Sequence, residues 1–329
     1  MNDVNEYRKI SIITLLKGVW KYLKELTNVL WLSVRDGVHD KIFRMSAALA
    51  FYTIFSIAPI LILIITIADS FFGRNAVEGE VYGQISKFVG HDAALQIQQI
   101  IANSMVEQYT ITTVLSIAVL MFTATGVFTE IQDSINVIWR LKPKPKKGWL
   151  KMIINRLLSF SMLISLGFLV MVTLLINALL NLIGDKISIY LPAISVYYAW
   201  IINWAITFGT TMLLFGAIFK VLPDAHIKWK HVTIGALFTT ILFLLGKWGI
   251  GIYLGRSKVN STFGAAGSTM ILLLWVYYSA IILYIGAEFT KHYAQWRGSG
   301  IYPNDYAVWV ENIEIERKDK LAPLPQSDI

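Results

Sequence analysis

Long apolar stretches alternate with short charged connections along this chain. Six stretches are long enough to cross a hydrocarbon core as helices, which takes about 20 residues. They cover residues 46–72, 110–128, 157–183, 197–222, 232–254 and 267–290. A helix is the expected form because it satisfies its own backbone N–H and C=O groups where water is absent. Residues 10–27 follow another pattern, with Leu15, Val19, Leu23 and Leu26 on one helical face and Lys17, Lys21 and Lys24 on another. That pattern predicts a basic helix lying in the membrane interface. Residues 74–109 form the one sizeable connection on the opposite side. They include a polar helical stretch, 93–108, that carries Leu95, Ile97, Ile100, Ile101 and Met105. Past residue 290, Tyr293, Trp296 and Tyr302 suit an interface, and the polar end from Leu321 to Ile329 is expected to be disordered.

Composition supports a membrane protein over a large soluble helical one. Hydrophobic residues make up 56% of the chain and charged residues only 15%, against about a quarter charged in ordinary soluble domains. So few charges cannot clothe 329 residues in a solvated surface. There is no cysteine, which excludes disulfides, thiolate metal sites and cysteine nucleophiles.

The net charge of +8 is informative through its placement. Lys and Arg number eight before the first span, seven between Arg140 and Arg156, three at Lys220, Lys228 and Lys230, and five in the tail. The alternate connections hold only Arg74, Lys87, Lys186, Arg256 and Lys258. This imbalance of 23 to 5 predicts both termini in the cytoplasm. The basic balance therefore reads as a topology signal and a contact for anionic lipid head groups, not as a nucleic-acid footprint. The expected fold is an all-α integral membrane protein with six transmembrane helices. An interfacial and cytoplasmic region spans 1–45, the bundle 46–290 and a cytoplasmic tail 291–329. Residues 1–45 show no charge-free apolar run and no cleavage site, so the first span is expected to direct its own insertion.

Ionisable groups at membrane depth are the first places to look for function, since they are costly there. Lys247 lies within the fifth span. It is a candidate partner for an anionic substrate or a carboxylate, or else a lysine snorkelling toward the outer interface. Asp69, near the outer end of the first span, is the carboxylate closest to it in depth, and Arg74 is the local alternative partner. Pro59 removes a helical hydrogen bond and kinks the first span. At the cytoplasmic mouth, Arg44, Glu130, Asp133, Arg140, Arg156 and Glu288 form a candidate charged gate, or ordinary interfacial ion pairs. Gly246, Gly249, Gly251 and Gly255 suit close helix contact. His39, His91, His226, His231 and His292 are scattered, with no metal-ligand spacing. No nucleophile–base set, cofactor motif or phosphate-binding glycine loop is present, so neither an enzyme nor a nucleotide site is expected.

Four stretches resemble a known family. They are the first-span segment from Ser46 to Pro59, Asn136-Val-Ile-Trp-Arg140, Leu222-Pro-Asp224 with the segment from Gly246 to Tyr253, and Ser261-Thr-Phe-Gly-Ala-Ala-Gly267 followed by Trp275 and Gly286-Ala-Glu288. In this order they resemble the YihY/BrkB family of bacterial inner-membrane proteins, once called ribonuclease BN. The resemblance implies a multi-pass inner-membrane protein, and links with virulence traits and lipid-precursor transport. The old ribonuclease name does not fit these residues. The leading expectation is a transporter-like protein handling a lipid or another amphiphilic envelope component, with membrane lipids as partners and no nucleic acid. The alternative is a non-transporting scaffold for envelope assembly, docking a protein through residues 74–109 or the tail.

Overall fold

The computed structural model describes residues 2–56, 126–144, 192–256 and 267–311. The third predicted span, most of the second, the 74–109 connection, Pro59, Asp69, Arg156 and the end of the tail lie outside the described residues. So does most of the Ser261–Gly267 loop.

Helix α1 is Asn2–His39 and α2 is Ile42–Ser56. Helix α3 covers 126–138, and α4, α5 and α6 are Pro192–Val221, Trp229–Arg256 and Gly267–Trp296. Among the described residues, Trp204–Val221, Trp229–Ile250 and Met270–Trp296 are long and apolar enough to cross a membrane. They coincide with the fourth, fifth and sixth predicted spans. Their outward surfaces carry Leu213, Ile241, Leu245, Trp248 and Leu273, a covering suited to hydrocarbon and not to water. The last helix runs past the predicted end at 290 as far as Trp296, because Lys291, Tyr293 and Ala294 are buried against neighbouring elements.

Helix α5 packs between α4 and α6, and α6 packs on α1. The α5–α6 contact is a reciprocal interlock. Thr290 of α6 fills the space a side chain would need at Gly235 of α5, and Thr239 of α5 does the same at Gly286 of α6. Each threonine hydroxyl donates to the carbonyl four residues back, Thr239 to Gly235 and Thr290 to Gly286, both at 2.7 Å. The hydroxyls are thereby satisfied inside a dry contact, and the two backbones approach as small residues permit. Farther along, Gly246 receives the Tyr278 ring. A side chain placed at Gly249, expected to pack, would meet nothing within 4 Å among the described residues.

Helix α1 departs from its predicted form. It continues beyond residue 27 to His39, and the stripe that docks on α6 is Leu26, Val29 and Leu30, against Phe289, Tyr293 and Trp296. Leu23 is instead exposed, in line with Trp20, Trp31, Val34 and Val38. The helix carries apolar residues on two sides, and a window ending at 27 reveals only one. At its end Lys41 adopts a left-handed conformation, φ 62°, the usual way to stop a helix, and α2 leaves from that corner.

Four short strands close the end of the bundle that carries this corner. Strand β1, Leu141–Pro143, pairs antiparallel with β4, Ala307–Trp309. Strand β2, Ala225–His226, pairs with β3, Tyr302–Pro303. The segment after α6 therefore folds back and ties together the turns that follow α3 and α4.

Candidate functional site

Two polar groups meet where α3, α4 and α6 end. The first surrounds Asp224, in the Leu222-Pro-Asp turn after α4. Gln132 and Asn136 lie one turn apart on α3, so they share a face. Gln132 Nε2 donates to Asp224 Oδ1 at 3.0 Å and Asn136 Nδ2 to Oδ2 at 3.0 Å. The Asp224 amide donates back to Asn136 Oδ1 at 2.9 Å. All three side chains are buried, and these bonds replace the water the carboxylate gives up. The Asp224 carbonyl also accepts from the Asn304 amide at 3.0 Å, which brings in the returning tail.

The second group is ionic and centres on α6. Glu288 is fully buried and forms an ion pair with Lys291, one turn on. Lys291 Nζ also donates to the Ile138 carbonyl at 3.0 Å, placing a cation at the negative end of α3. Trp139 Nε1 donates to the Ala287 carbonyl at 3.0 Å. His292 Nε2 lies 3.2 Å from Asp36 Oδ2 and 3.7 Å from Glu288 Oε2. Arg140, held at φ 58°, reaches the α1–α2 corner, where its Nη2 meets Asp40 Oδ1 at 2.6 Å. Burial opposes ionisation of Asp36. The Arg35 hydrogen bond and the charges of His292 and Lys291 outweigh it and hold this carboxyl below its ordinary value.

A groove of about 710 Å³ runs between α1 and α6, with Lys21 and Lys24 at its rim and Val29, Leu32 and Trp296 along its wall. Across α6 a cavity of about 580 Å³ is lined by Arg140, Lys291, Ile301 and Trp309. The two helices are joined at the groove by side-chain contacts. Trp296 Nε1 donates to Glu25 Oε2 at 2.9 Å, and the Arg297 guanidinium lies over the Trp296 and Tyr22 rings at 4.5 and 5.3 Å.

Of the predicted gate residues, the structure brings Arg140 and Glu288 into this junction. Arg44 is exposed on α2 and stays outside it, while Glu130 and Asp133 lie higher on α3 with Asp133 exposed. Lys247 is half-buried on α5. The interlock sets its depth. With Gly235 facing Thr290 and Thr239 facing Gly286, Glu288 lies level with Leu237, and Lys247 is a further ten residues along, about 15 Å at 1.5 Å per residue. Among the described residues no group of three or more His, Cys, Asp or Glu stands together as a metal site would require. Asp36, Asp40, Gln132, Lys291 and His292 were not predicted. Only the α6 members carry a signal in the sequence, since Glu288, Lys291 and His292 stand at i, i+3 and i+4.

Comparison with known proteins places this arrangement in context. A family model described as Virulence factor BrkB matches residues 34–303. A UPF0761 membrane protein of Stenotrophomonas maltophilia (strain R551-3) is 26% identical over 273 residues, covering 78% of this chain and 59% of the relative. A UPF0761 membrane protein of Xanthomonas oryzae pv. oryzae (strain PXO99A) is 25% identical over 271 residues, covering 80% and 60%. One from Xanthomonas campestris pv. campestris (strain B100) is 25% identical over 275 residues, with the same coverage. The chain thus spans less than two thirds of the length of these relatives. No solved structure matches.

Proposed function

Since this chain belongs to the virulence factor BrkB family, we propose that it is a transporter-like protein of the bacterial inner membrane, handling a lipid or another amphiphilic envelope component. The groove between α1 and α6 carries this reading. Its charged lining residues are Lys21, Lys24 and Glu25, a net positive set, and Val29, Leu32 and Trp296 add apolar surface beside the polar Asn28, His292 and Gln295, a combination that suits an anionic head group attached to an apolar body. His292 lines the groove and also belongs to the ionic junction, so a ligand in the groove would touch the residues that pack α1 on α6. In this reading the 23-to-5 charge imbalance puts the groove and both termini on the cytoplasmic side. Lys247 provides a second cationic point deeper in the bundle, and the ligand moves without chemical change.

The test is reconstitution. Full-length protein in proteoliposomes is expected to move a fluorescent anionic phospholipid between leaflets, and Lys21→Glu with Lys24→Glu is expected to slow it about tenfold, roughly the effect of losing 1.4 kcal/mol of binding. No movement of anionic, zwitterionic or lyso-lipid by the unaltered protein would sink the reading. The alternative of a scaffold draws on the exposed α1 stripe of Trp20, Trp31, Val34 and Val38. It predicts intact envelope function after the double charge reversal and its loss after Trp31→Glu.

A further inference from the structure

Helix α1 carries three rows of side chains along its length. Leu26, Val29 and Leu30 pack on α6. A second row, Trp20, Leu23, Trp31, Val34 and Val38, leaves between 48% and 74% of each residue exposed. These positions recur at helical spacing and form one apolar stripe. Thr27 falls on the same stripe, and its hydroxyl donates to the Lys24 carbonyl at 2.8 Å, so it adds no unmet polar group there. The third row is Lys21, Lys24, Asn28, Arg35 and His39, all exposed. Each of these stands one position after a stripe residue, about 100° farther round a helix of 3.6 residues per turn. The acids of this stretch, Glu25 and Asp36, meet Trp296 and His292 of α6. The exposed polar row is therefore basic.

Contacts with α6 set the level of the stripe. The Tyr22 ring lies 5.2 Å from that of Trp296, and a side chain at Gly37 would meet Glu288. About 22 Å of α1 thus runs beside about 12 Å of α6, at 1.5 Å per residue, so the two helices cross obliquely. The α6 stretch concerned lies within Met270–Trp296, a window apolar enough to cross a membrane. Trp31, Val34 and Val38 therefore stand beside the end of a membrane-crossing helix. Past the corner at Lys41, Phe43, Phe51 and Phe55 are exposed on α2, which holds the start of the first predicted span. Along the chain, exposed apolar surface continues from the stripe into the segment expected to enter the bilayer.

We propose that the exposed stripe of α1 is a membrane-contact surface, which holds the helix between α6 and the lipid. Leu23, Val34 and Val38 meet the acyl chains. Trp20 and Trp31 suit the head-group level, where an indole keeps its ring in apolar surroundings and its N–H on a polar partner. The basic row reaches anionic head groups beside them. A second copy of the chain fits this face less well, because a two-fold contact would bring the same basic row to it while the acids of α1 face α6. The surface differs from the interfacial helix expected over residues 10–27, since Leu26 docks on α6 and the stripe reaches Val38. It stands apart from the amphiphile reading, because its test measures the depth of α1 and follows no transport.

The chain has no cysteine, so single spin labels can be placed without further changes. Full-length Leu23→Cys, Val34→Cys and Val38→Cys, with Lys24→Cys and Asn28→Cys for comparison, are labelled and set in nanodiscs of phosphatidylcholine and phosphatidylglycerol. Collision with oxygen, which concentrates in lipid, is measured against collision with a water-soluble nickel chelate. The oxygen-to-nickel ratio is expected to be severalfold higher at 23, 34 and 38 than at 24 and 28. Equal ratios at all five positions, or nickel access at 34 and 38, would place the stripe in water and overturn the proposal. Protection of 34 and 38 from both reagents would also overturn it, and spin–spin coupling would then identify a second copy as the cover. Omitting phosphatidylglycerol is expected to lower the ratio at 34, and an unchanged ratio would overturn the role of the basic row. Each label sits on an exposed residue, and elution as a single species with an unchanged helical circular dichroism spectrum shows that the variant has folded.

Discussion

Asp224 depends on two side-chain amides, and both depend on it. Replacing it with alanine strands the Gln132 and Asn136 amide groups in a buried setting, at a cost of about 3 kcal/mol. Asp224→Asn keeps the size but turns one acceptor into a donor facing another donor, and is expected to cost about half as much. Unfolding in detergent by denaturant checks both, and an alanine variant within about 0.5 kcal/mol of the parent would refute the account. The ingredients of this knot are legible in the sequence, since Asn136 and Asp224 fall in the segments that carry the family resemblance. Their contact is not. Asn136 and Asp224 are 88 residues apart, and no periodicity connects the end of one helix with the turn after another. Arg140 shows a related limit. Its charge marks it for the mouth of the bundle, but its partner Asp40 becomes visible only once α1 is seen to turn at Lys41.

Helices were the most readable level, because hydropathy reports length and polarity directly. The fourth, fifth and sixth predicted spans appear as α4, α5 and α6. Which glycine packs is another matter, since a span containing several offers no hint of its neighbour's register. Gly235→Ala and Gly286→Ala each put a methyl group into a threonine and are expected to cost about 1–3 kcal/mol, as overpacking does. Gly249→Ala meets nothing within 4 Å among the described residues and should be neutral or gain up to about 1 kcal/mol of helix propensity. Thermal unfolding in one detergent compares the three, and equal midpoints would show that the interlock does not hold α5 against α6. In helix α1 the apolar stripe expected over residues 10–27 divides: Leu26 packs on α6 together with Val29 and Leu30, which lie beyond that window, while Leu23 is exposed.

At the scale of the molecule, the returning tail closes one end. Ending the chain at Gly300 removes buried Ile301 and Ala307 and both strands β3 and β4. Lys144 loses the Tyr306 carbonyl that its amide meets at 2.9 Å and the Asp305 carbonyl that its Nζ meets at 2.6 Å. Trypsin, which does not cut before Pro143 or Pro145, is therefore expected to cut the truncated protein after Arg140 severalfold faster than the full chain, and equal rates would refute the closure. Composition and charge placement predict a membrane bundle, but strands of two or three residues leave no alternation long enough to read, so this closure was invisible in the sequence. The β1–β4 pair also has a consequence for the order of events during synthesis. Leu141 leaves the ribosome long before its partner Trp309 exists, and the three helices α4, α5 and α6 must be made in between. The latch is therefore among the last contacts to form. A chain stalled or cut short before Trp309 keeps its helices but lacks the closure, and quality-control proteases that sample exposed turns would meet it at Lys142.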